Sequence, residues 1–542
     1  MALQREISNV LSYVTSRGYQ IHPEAFAMLK NLNNNLLIIV KKIINDKIEN
    51  NENNSLIIIE DIKKILSNID KQYYDSDDST NNNNIVIHKS NKIIQKKEKE
   101  QNSETNVIKI KFDPTSNISS AEGIDGYSSL FKSRYEKLLN ILSMRQESKR
   151  LIKISILKNM SNLNNNNSER SRKYLRNEDN NEGKKSKKNN NLENSNFDSF
   201  IIAGLVMDRQ SKKNGIEITI DDQTGMLTAI ALTEELKKQV SLVALDQMVM
   251  LEIENRKNNK AFVLKKITTP DIPEHIPNKA QSDSYVILIS DLHVGSKYFL
   301  EDEFNQFIDW LSNSDNEIVS KIKYLCIGGD LIDGVGIFPN QEKELVDLTI
   351  KKQMNHVINL LARIPSRIKV FVIPGNHDTG RRALPQPSIP RKDAEELYMF
   401  ENFTMLGNPC LLELEGVKIL MYHGQSLDDI IATIPGLSYS KPAEAMKILL
   451  KARHLSPIYG QRTPIGPEKE DMMVISEIPD ILHSGHVHVM DVQNYKGTLI
   501  VNSGAWQAQT KFQQTMNILP TPGIAIAVNL STLQPFQIDF KI

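Results

Sequence analysis

The sequence predicts a multidomain chain: an N-terminal helical region, a small β-barrel, and a C-terminal α/β domain of strands flanked by helices. Three observations predict it. Apolar residues recur at helical spacing over residues 1–72. Five short strand-like runs, separated by turn signals, crowd residues 198–278. From residue 279 onward apolar strand runs alternate with helical stretches, the pattern of an α/β domain with buried strands. At 542 residues the chain exceeds what one core can organise.

In the helical region Pro23 suits a first helical position, and Ala25, Leu29, Leu32 and Leu36 follow at roughly helical spacing. Ile58, Ile62, Ile65 and Leu66 form a second apolar stripe. The pattern does not separate a self-contained bundle from a partner-docking module. Residues 73–105 (YDSDDSTNNNN, then KKEKEQNSE) read as a disordered linker. Residues 106–158 read as a connecting segment: a short extended piece, VIKIKFD, then an amphipathic helix with Phe131, Tyr135, Leu138 and Leu142 on one face. Residues 159–197 form a second, Asn/Lys-rich linker; its KKSKK run (Lys184–Lys188) is a solvated charge run or a loose contact to nucleic acid.

In residues 198–278 Asn214-Gly215 is a favoured hairpin turn, and Asp222, Thr224 and Gly225 supply another. With one helix, residues 233–240, among its short strands, this region predicts a Greek-key barrel of the OB type. Such barrels often bind single strands, but a generic spacing or partner-binding β-domain fits the same pattern. In the α/β domain, 279–542, EFNQFIDWLSN and KELVDLTIKKQMNHVINLLARI are the clearest helices.

Charge narrows little: 66 basic and 66 acidic residues cancel, so any surface for nucleic acid must be local. Cys326 and Cys410 sit in apolar contexts and read as core residues of a protein in a reducing compartment. The opening MALQREISNV lacks a signal-peptide apolar region, and no run is long enough to span a bilayer. The expectation is a soluble, cytoplasmic protein without a membrane partner.

The chemistry lies at strand ends. YVILIS leads to Asp291 and His293; KYLCIGG to Asp330 and Asp333; IKVFVIPG to Asn376, His377 and Asp378; VKILMY to His423; PDILHSG to His486 and His488. Side chains at the carboxyl ends of sheet strands converge in one crevice. Carboxylate, amide oxygen and imidazole together suit divalent ions such as manganese, iron or zinc, and the absence of cysteine argues against a structural zinc. A carboxylate can bridge two ions, and two ions roughly 3.5–4 Å apart serve an in-line displacement at phosphorus. Each motif alone is weak; five in this order, each after a strand, define a metal site.

These motifs resemble those of the calcineurin-like metallophosphoesterases. DLHVGS, GNHDTGRRALPQP, RHLSPIYGQRTPIGPE, PDILHSGHVHV, NSGAWQAQTKFQ and LPTPG resemble, more narrowly, the small subunits of archaeal D-family DNA polymerases. The resemblance covers most of the chain outside the Asn-rich linkers. It implies a β-sandwich flanked by helices and a 3′→5′ proofreading exonuclease acting beside a large catalytic subunit on a single-stranded or frayed 3′ end. It further implies one metal on Asp291, His293, Asp330 and His488, and a second on Asp330, Asn376, His423 and His486, with Asp330 as the bridge. The ions would be Mn2+ first, with Fe2+, Zn2+ or Mg2+ as alternatives. His377 would be catalytic without binding metal, and Asp378 would orient it. Arg381 and Arg382 either hold a neighbouring phosphate or form a surface pair. Asp333 and His483 read as structural; His454, Tyr459 and Arg462 either line a DNA path or order a long loop. A sliding clamp is a further candidate partner. Eukaryotic relatives have lost site residues, whereas every expected ligand is present here. A non-catalytic assembly subunit and a stand-alone repair nuclease are the alternatives.

Overall fold

The computed structural model describes residues 108–164 and 198–541, apart from Glu122, residues 256–261 and Ser314, together with scattered positions between Val10 and Ile62. The chain divides into two compact units, residues 1–99 and 100–542. In the first, Val10, Val14, Ala25, Val40, Ile43, Ile44 and Ile62 are helical and buried, and Gln20–Ile21 pairs in parallel with Leu56–Ile57. Pro23, Leu29, Leu32, Leu36, Ile58, Ile65 and Leu66, the linker expected at 73–105, and residues 165–197 of the other linker lie outside the described residues.

The second unit begins with a strand, β1 (Ile108–Phe112), and two helices, α1 (Gly123–Ser143) and α2 (Ile154–Asn164). Residues 159–164, expected in a linker, thus complete α2. A closed five-stranded barrel follows: β2 (Asp198–Lys212), β3 (Gly215–Asp221), β4 (Met226–Ala231), β5 (Met248–Asn255) and β6 (Phe262–Thr268), in the order β2-β3-β4-β6-β5. Alternation puts Ile218, Ile220, Leu227 and Ala229 inside. Helix α3 (Glu234–Ser241) lies between β4 and β5, and the Thr233 side chain caps it by accepting from the Leu236 amide at 3.3 Å. Lys212 pairs with Gly215, so the first hairpin turns at Lys213-Asn214, one residue earlier than Asn214-Gly215 suggested.

The remainder is a four-layer sandwich. Strands β7 (Tyr285–Ile289), β8 (Ile322–Ile327), β9 (Lys369–Val372), β10 (Phe403–Met405), β16 (Ile524–Asn529) and β17 (Pro535–Asp539) form one sheet in the order β10-β9-β8-β7-β16-β17. Strands β11 (Cys410–Leu414), β12 (Val417–Met421), β13 (Ile481–Ser484), β14 (Asp491–Tyr495) and β15 (Thr498–Asn502) form the other with β1, in the order β14-β15-β13-β12-β11-β1. The extended piece in the connecting segment is therefore an edge strand of this domain, paired with β11. Val286, Leu288, Cys326 and Ile526 of one sheet pack on Cys410, Leu412, Ile419 and Val501 of the other. Both cysteines are free and buried there.

The outer faces carry helices. On the first sheet, α4 (Glu301–Ser312) and α5 (Ile350–Leu361) bring Phe304, Phe307, Met354 and Val357 onto Ile287, Leu325 and Val370. Helix α5 starts at Ile350, capped by Thr349, and not near residue 343: the amides of Val346 and Asp347 turn back to the carbonyl of Gly295. On the second sheet, α6 (Leu427–Thr433) and α7 (Pro442–Ala452) bring Leu427, Ile430, Met446 and Leu449 onto Leu420, Leu482 and Ile500. No helix among the described residues is long and apolar enough to cross a membrane.

Candidate active site

Strands β7, β8 and β9 run parallel in one sheet, and β12 and β13 run parallel in the other. Their carboxyl ends carry the five motifs, and the side chains there meet across the two sheets. The chain turns sharply after each strand. Asp291, His293, Asp330, His486 and His488 all have left-handed backbone, with φ of 55°, 51°, 53°, 70° and 59°. Each such residue costs roughly 1–2 kcal/mol, and Asp and His tolerate it better than most. The fold holds five side chains in strained turns that aim them at one point, a pattern that clusters at functional sites.

Three groups of candidate ligand atoms result: Asp291, His293 and His488; Asp330, His423 and His486; and His293, Asp333 and His377. In the first, the Nε2 atoms of His293 and His488 face each other at 3.0 Å. Asp291 Oδ1 lies 3.5 Å from His488 Nε2 and 3.9 Å from His293 Nε2. In the second, His423 Nε2 lies 3.0 Å from Asn376 Oδ1 and 3.3 Å from Asp330 Oδ2, with His486 alongside. Asp330 Oδ2 is also 3.7 Å from His293 Nε2, so one oxygen faces the first and second groups. Asp291 and Asp330 are almost wholly buried. Buried carboxylates facing ring nitrogens that point at one another are a donor set compatible with a divalent cation.

Outer contacts set which nitrogen is free. His293 Nδ1 donates to Asp333 Oδ1 at 3.1 Å, and His423 Nδ1 donates to the Gly328 carbonyl at 2.9 Å, leaving both Nε2 lone pairs for a cation. Asp333 is itself held by Gln341 Nε2 at 2.8 Å and Gln507 Nε2 at 3.0 Å. His486 Nε2 lies 3.2 Å from Asp428 Oδ2, whose other oxygen accepts from the Tyr439 hydroxyl at 2.9 Å. Gln513 Nε2 meets His488 Nδ1 at 2.8 Å. Burial works to lower the pKa of His293, but the Asp333 hydrogen bond and the Asp330, Asp333 and Asp291 charges outweigh it and bring it to about 9. Burial likewise opposes His423, which Asp330 raises to about 9. The carboxylates therefore favour positive charge at these rings, whether a proton or a cation in its place.

Comparison with known proteins places the chain. A family model for the B-subunit family of DNA polymerases alpha and epsilon matches residues 286–489. The DNA polymerase II small subunit of Methanothermobacter thermautotrophicus is 37% identical over 429 residues, covering 78% of this chain and 81% of that one. The DNA polymerase II small subunit of Pyrococcus furiosus is 34% identical over 446 residues, covering 80% of this chain and 67% of that one. The chain belongs to the DNA polymerase II small-subunit family. Among solved structures, an archaeal phosphodiesterase covers 47% of the chain at 13% identity and a TM-score of 0.25, a likeness too loose to decide anything.

In this family member the structure brings together Asp291, His293, Asp330, Asn376, His423, His486 and His488. His377 joins them: its amide donates to Asp330 Oδ1 at 2.8 Å and its Nδ1 to the Asp333 carbonyl at 2.7 Å. Asp378 does not orient His377. Its carboxylate instead accepts from the amides of Gly375, Leu331 and Ile332 at 2.8, 3.0 and 3.3 Å, clamping two strand-end loops together. Nor is Arg381 free for a phosphate: it pairs at 2.5 Å with Glu468, which is fully buried, and donates to Ser120 Oγ. Arg382 is exposed and lines a second hollow beside His377. His454 pairs with Asp471 at 3.0 Å inside the 453–474 loop and orders it, as His483, bonded to Ser503 Oγ, supports the floor.

Sequence reasoning missed Asp428, Tyr439, Gln341, Gln507 and Gln513. Only Asp428 carried a local signal, an acidic residue in the first turn of the helix after His423-Gly424. Arg462 lines a cleft of about 210 Å³ with His293, Asp330, His377 and His486.

Proposed function

We propose that this chain is the small subunit of a two-subunit archaeal replicative DNA polymerase and carries its metal-dependent 3′→5′ proofreading exonuclease. The observation that supports this most is the convergence of seven ligand-type side chains from five strand ends, in a chain of the DNA polymerase II small-subunit family. Asp291, His293, Asp330 and His488 would hold one divalent ion, and Asp330, Asn376, His423 and His486 a second, Mn2+ being the best match to this mixed donor set. The position of Asp330 Oδ2 toward both groups supports it as the bridge. Bound ions supply positive charge to the phosphate and lower the pKa of water.

The chain's own residues do the rest. His377 has its Nδ1–H committed to the Asp333 carbonyl, so it exchanges protons at Nε2. In its protonated form it donates there to the leaving 3′-oxygen. Asp333, bonded to His293, keeps that ring's orientation; Asp428 does the same for His486. Arg462 and Arg382 offer guanidinium groups to phosphates flanking the scissile one. The calcineurin-like fold fits the two-sheet core. The closed barrel fits the OB type, because its strand order and the helix between its third and fourth strands are those of an OB barrel. The large catalytic subunit would dock on the barrel or the C-terminus of the α/β domain, and a sliding clamp on the N-terminal region, in a cytoplasmic, nucleoid-associated complex.

The test is nucleotide release from a mismatched 3′ end by the two-subunit enzyme with Mn2+. Asp330→Asn keeps a residue that accepts left-handed backbone, so it removes charge without disturbing the turn. We expect Asp330→Asn to abolish release and His377→Ala to slow it by about 10²–10⁴-fold, with polymerisation retained. A wild-type complex that releases nothing, or an Asp330→Asn complex as active as wild type, would leave an assembly role only.

A further inference from the structure

Resting on the reading of the cleft as a nuclease site, we infer that Phe338 and Phe512 are base-stacking residues that select an unstacked, single-stranded terminus over a paired one. Both line the same cleft as His293, Asp330, His377 and His488. Phe338 is 36% exposed and Phe512 64% exposed. Large aromatic side chains left in water beside a polar centre call for a partner with an apolar face.

Their mounting is the second observation. Each sits on a short segment fastened to the site by a buried glutamine. The Gln341 side chain donates to Asp333 Oδ2 at 2.8 Å and accepts from the Ile337 amide at 2.9 Å, and the Gln341 backbone amide donates to the Phe338 carbonyl at 3.3 Å. Asp333 in turn orients His293. Gln513 meets His488 Nδ1 at 2.8 Å while forming a capping box with Thr510, which fixes the helix Lys511–Thr515 (α8) that carries Phe512. Phe512 is thus registered to a candidate ligand through one side chain, Gln513, and Phe338 through two, Gln341 and Asp333.

The same cleft offers Arg462 for phosphate. A nucleotide has both a charged phosphate and a flat apolar base. With its phosphate at the ligand cluster, its base has these rings as apolar partners. Stacking is tolerant of sequence, because every base has a π-face, but it requires the base to leave its duplex partner. The rings therefore favour frayed ends without reading which base is there.

The experiment uses the full chain, with its large subunit, and three single-stranded oligonucleotides: an ordinary one, one with abasic residues at its 3′ end, and one with 2-aminopurine there. We expect Phe512→Ala and Phe338→Ala each to raise KM for the ordinary strand about tenfold with kcat little changed, and Phe512→Trp to restore it. The abasic strand should bind wild type weakly and be indifferent to either variant. Binding should quench 2-aminopurine fluorescence in wild type and not in the double variant. Equal losses on ordinary and abasic strands, or quenching that survives in the double variant, would overturn the inference. So would loss of large-subunit co-purification with quenching unchanged, which would make the rings a protein contact. Quenching without any hydrolysis would sink the exonuclease reading and leave this one standing.

Discussion

At Gly375 and Gly485 the lack of a side chain is what lets two carboxylates stand where they do. A Cβ at Gly375 would lie 2.1 Å from Asp330 Oδ1, and one at Gly485 2.2 Å from Asp291 Oδ2. Neither glycine has a positive φ, so alanine acts through collision: at Gly375 with the Asp330 side chain and amide, and at Gly485 with Asp291 and the Ser290 side chain that bonds to it. We expect Gly375→Ala and Gly485→Ala to weaken Mn2+ binding, read by titration calorimetry, at least about tenfold while leaving the far-ultraviolet circular dichroism unchanged. Undiminished affinity would mean that Asp330 and Asp291 are not where the ions sit. At this scale the sequence was legible where a residue's partner belongs to another of the motifs, as His488 does for Asp291 and His293. It misled where the partner lies outside them. Arg381 and Asp378 follow His377 closely, which suggested substrate and catalysis; their real partners are Glu468 and three backbone amides. A single sequence does not display a buried carboxylate 87 residues downstream.

Helix α1 carries the same lesson one level up. Its apolar spacing pointed to Phe131, Tyr135, Leu138 and Leu142, and the last two are indeed fully buried against the barrel. The buried stripe is nevertheless Leu130, Arg134, Leu138 and Leu142. An arginine at its centre breaks the pattern because its partner, Asp471 at 2.7 Å, lies in the loop before the last motif and is equally buried. His454 shares that carboxylate. Burial and the Arg134 charge push the pKa of His454 down to about 4, against an ordinary value near 6.5. The unfolded chain therefore binds the proton more readily, and stability from a neutral His454 is present above pH 6.5 and lost as pH falls toward 4. The loss is about 3 kcal/mol over that window. We expect the stability advantage of wild type over His454→Asn, measured by urea unfolding at pH 7, 5.5 and 4, to shrink by about that amount. A constant difference across the series would show that His454 is not held neutral by this cluster.

Taken whole, residues 100–542 behave as one unit because the segment before the barrel is shared property. Strand β1 closes the edge of the second sheet against β11, and Asp113 accepts from the Gly407 amide at 3.0 Å. Ser119 and Ser120 bind Glu468 at 2.7 Å each, the carboxylate that also holds Arg381 beside the His377 loop. Helix α1 lays Leu138 and Leu142 on barrel residues Ile201, Ala203 and Met250 while Arg134 reaches the sandwich. Polar links join barrel and sandwich directly: Asp246 accepts from the Tyr459 amide at 3.0 Å and Arg209 donates to the Thr433 carbonyl at 3.3 Å. The alternation of strands and helices made the sandwich legible from residue 279, but a five-residue strand with lysines at every second position looks like a linker until its sheet is known. This arrangement sets the limits of truncation. A chain starting at residue 106 keeps every one of these contacts; one starting at residue 198 loses β1 and α1, uncovers an apolar barrel face and leaves Glu468 without its two serine hydroxyl and amide donors. An unpaired sheet edge and an exposed apolar face both promote aggregation. We expect the 106 start to melt within a few degrees of the full chain, and the 198 start to melt about 10 °C lower or to precipitate on heating. Equal melting temperatures for the two would show that barrel and sandwich do not depend on the segment that joins them.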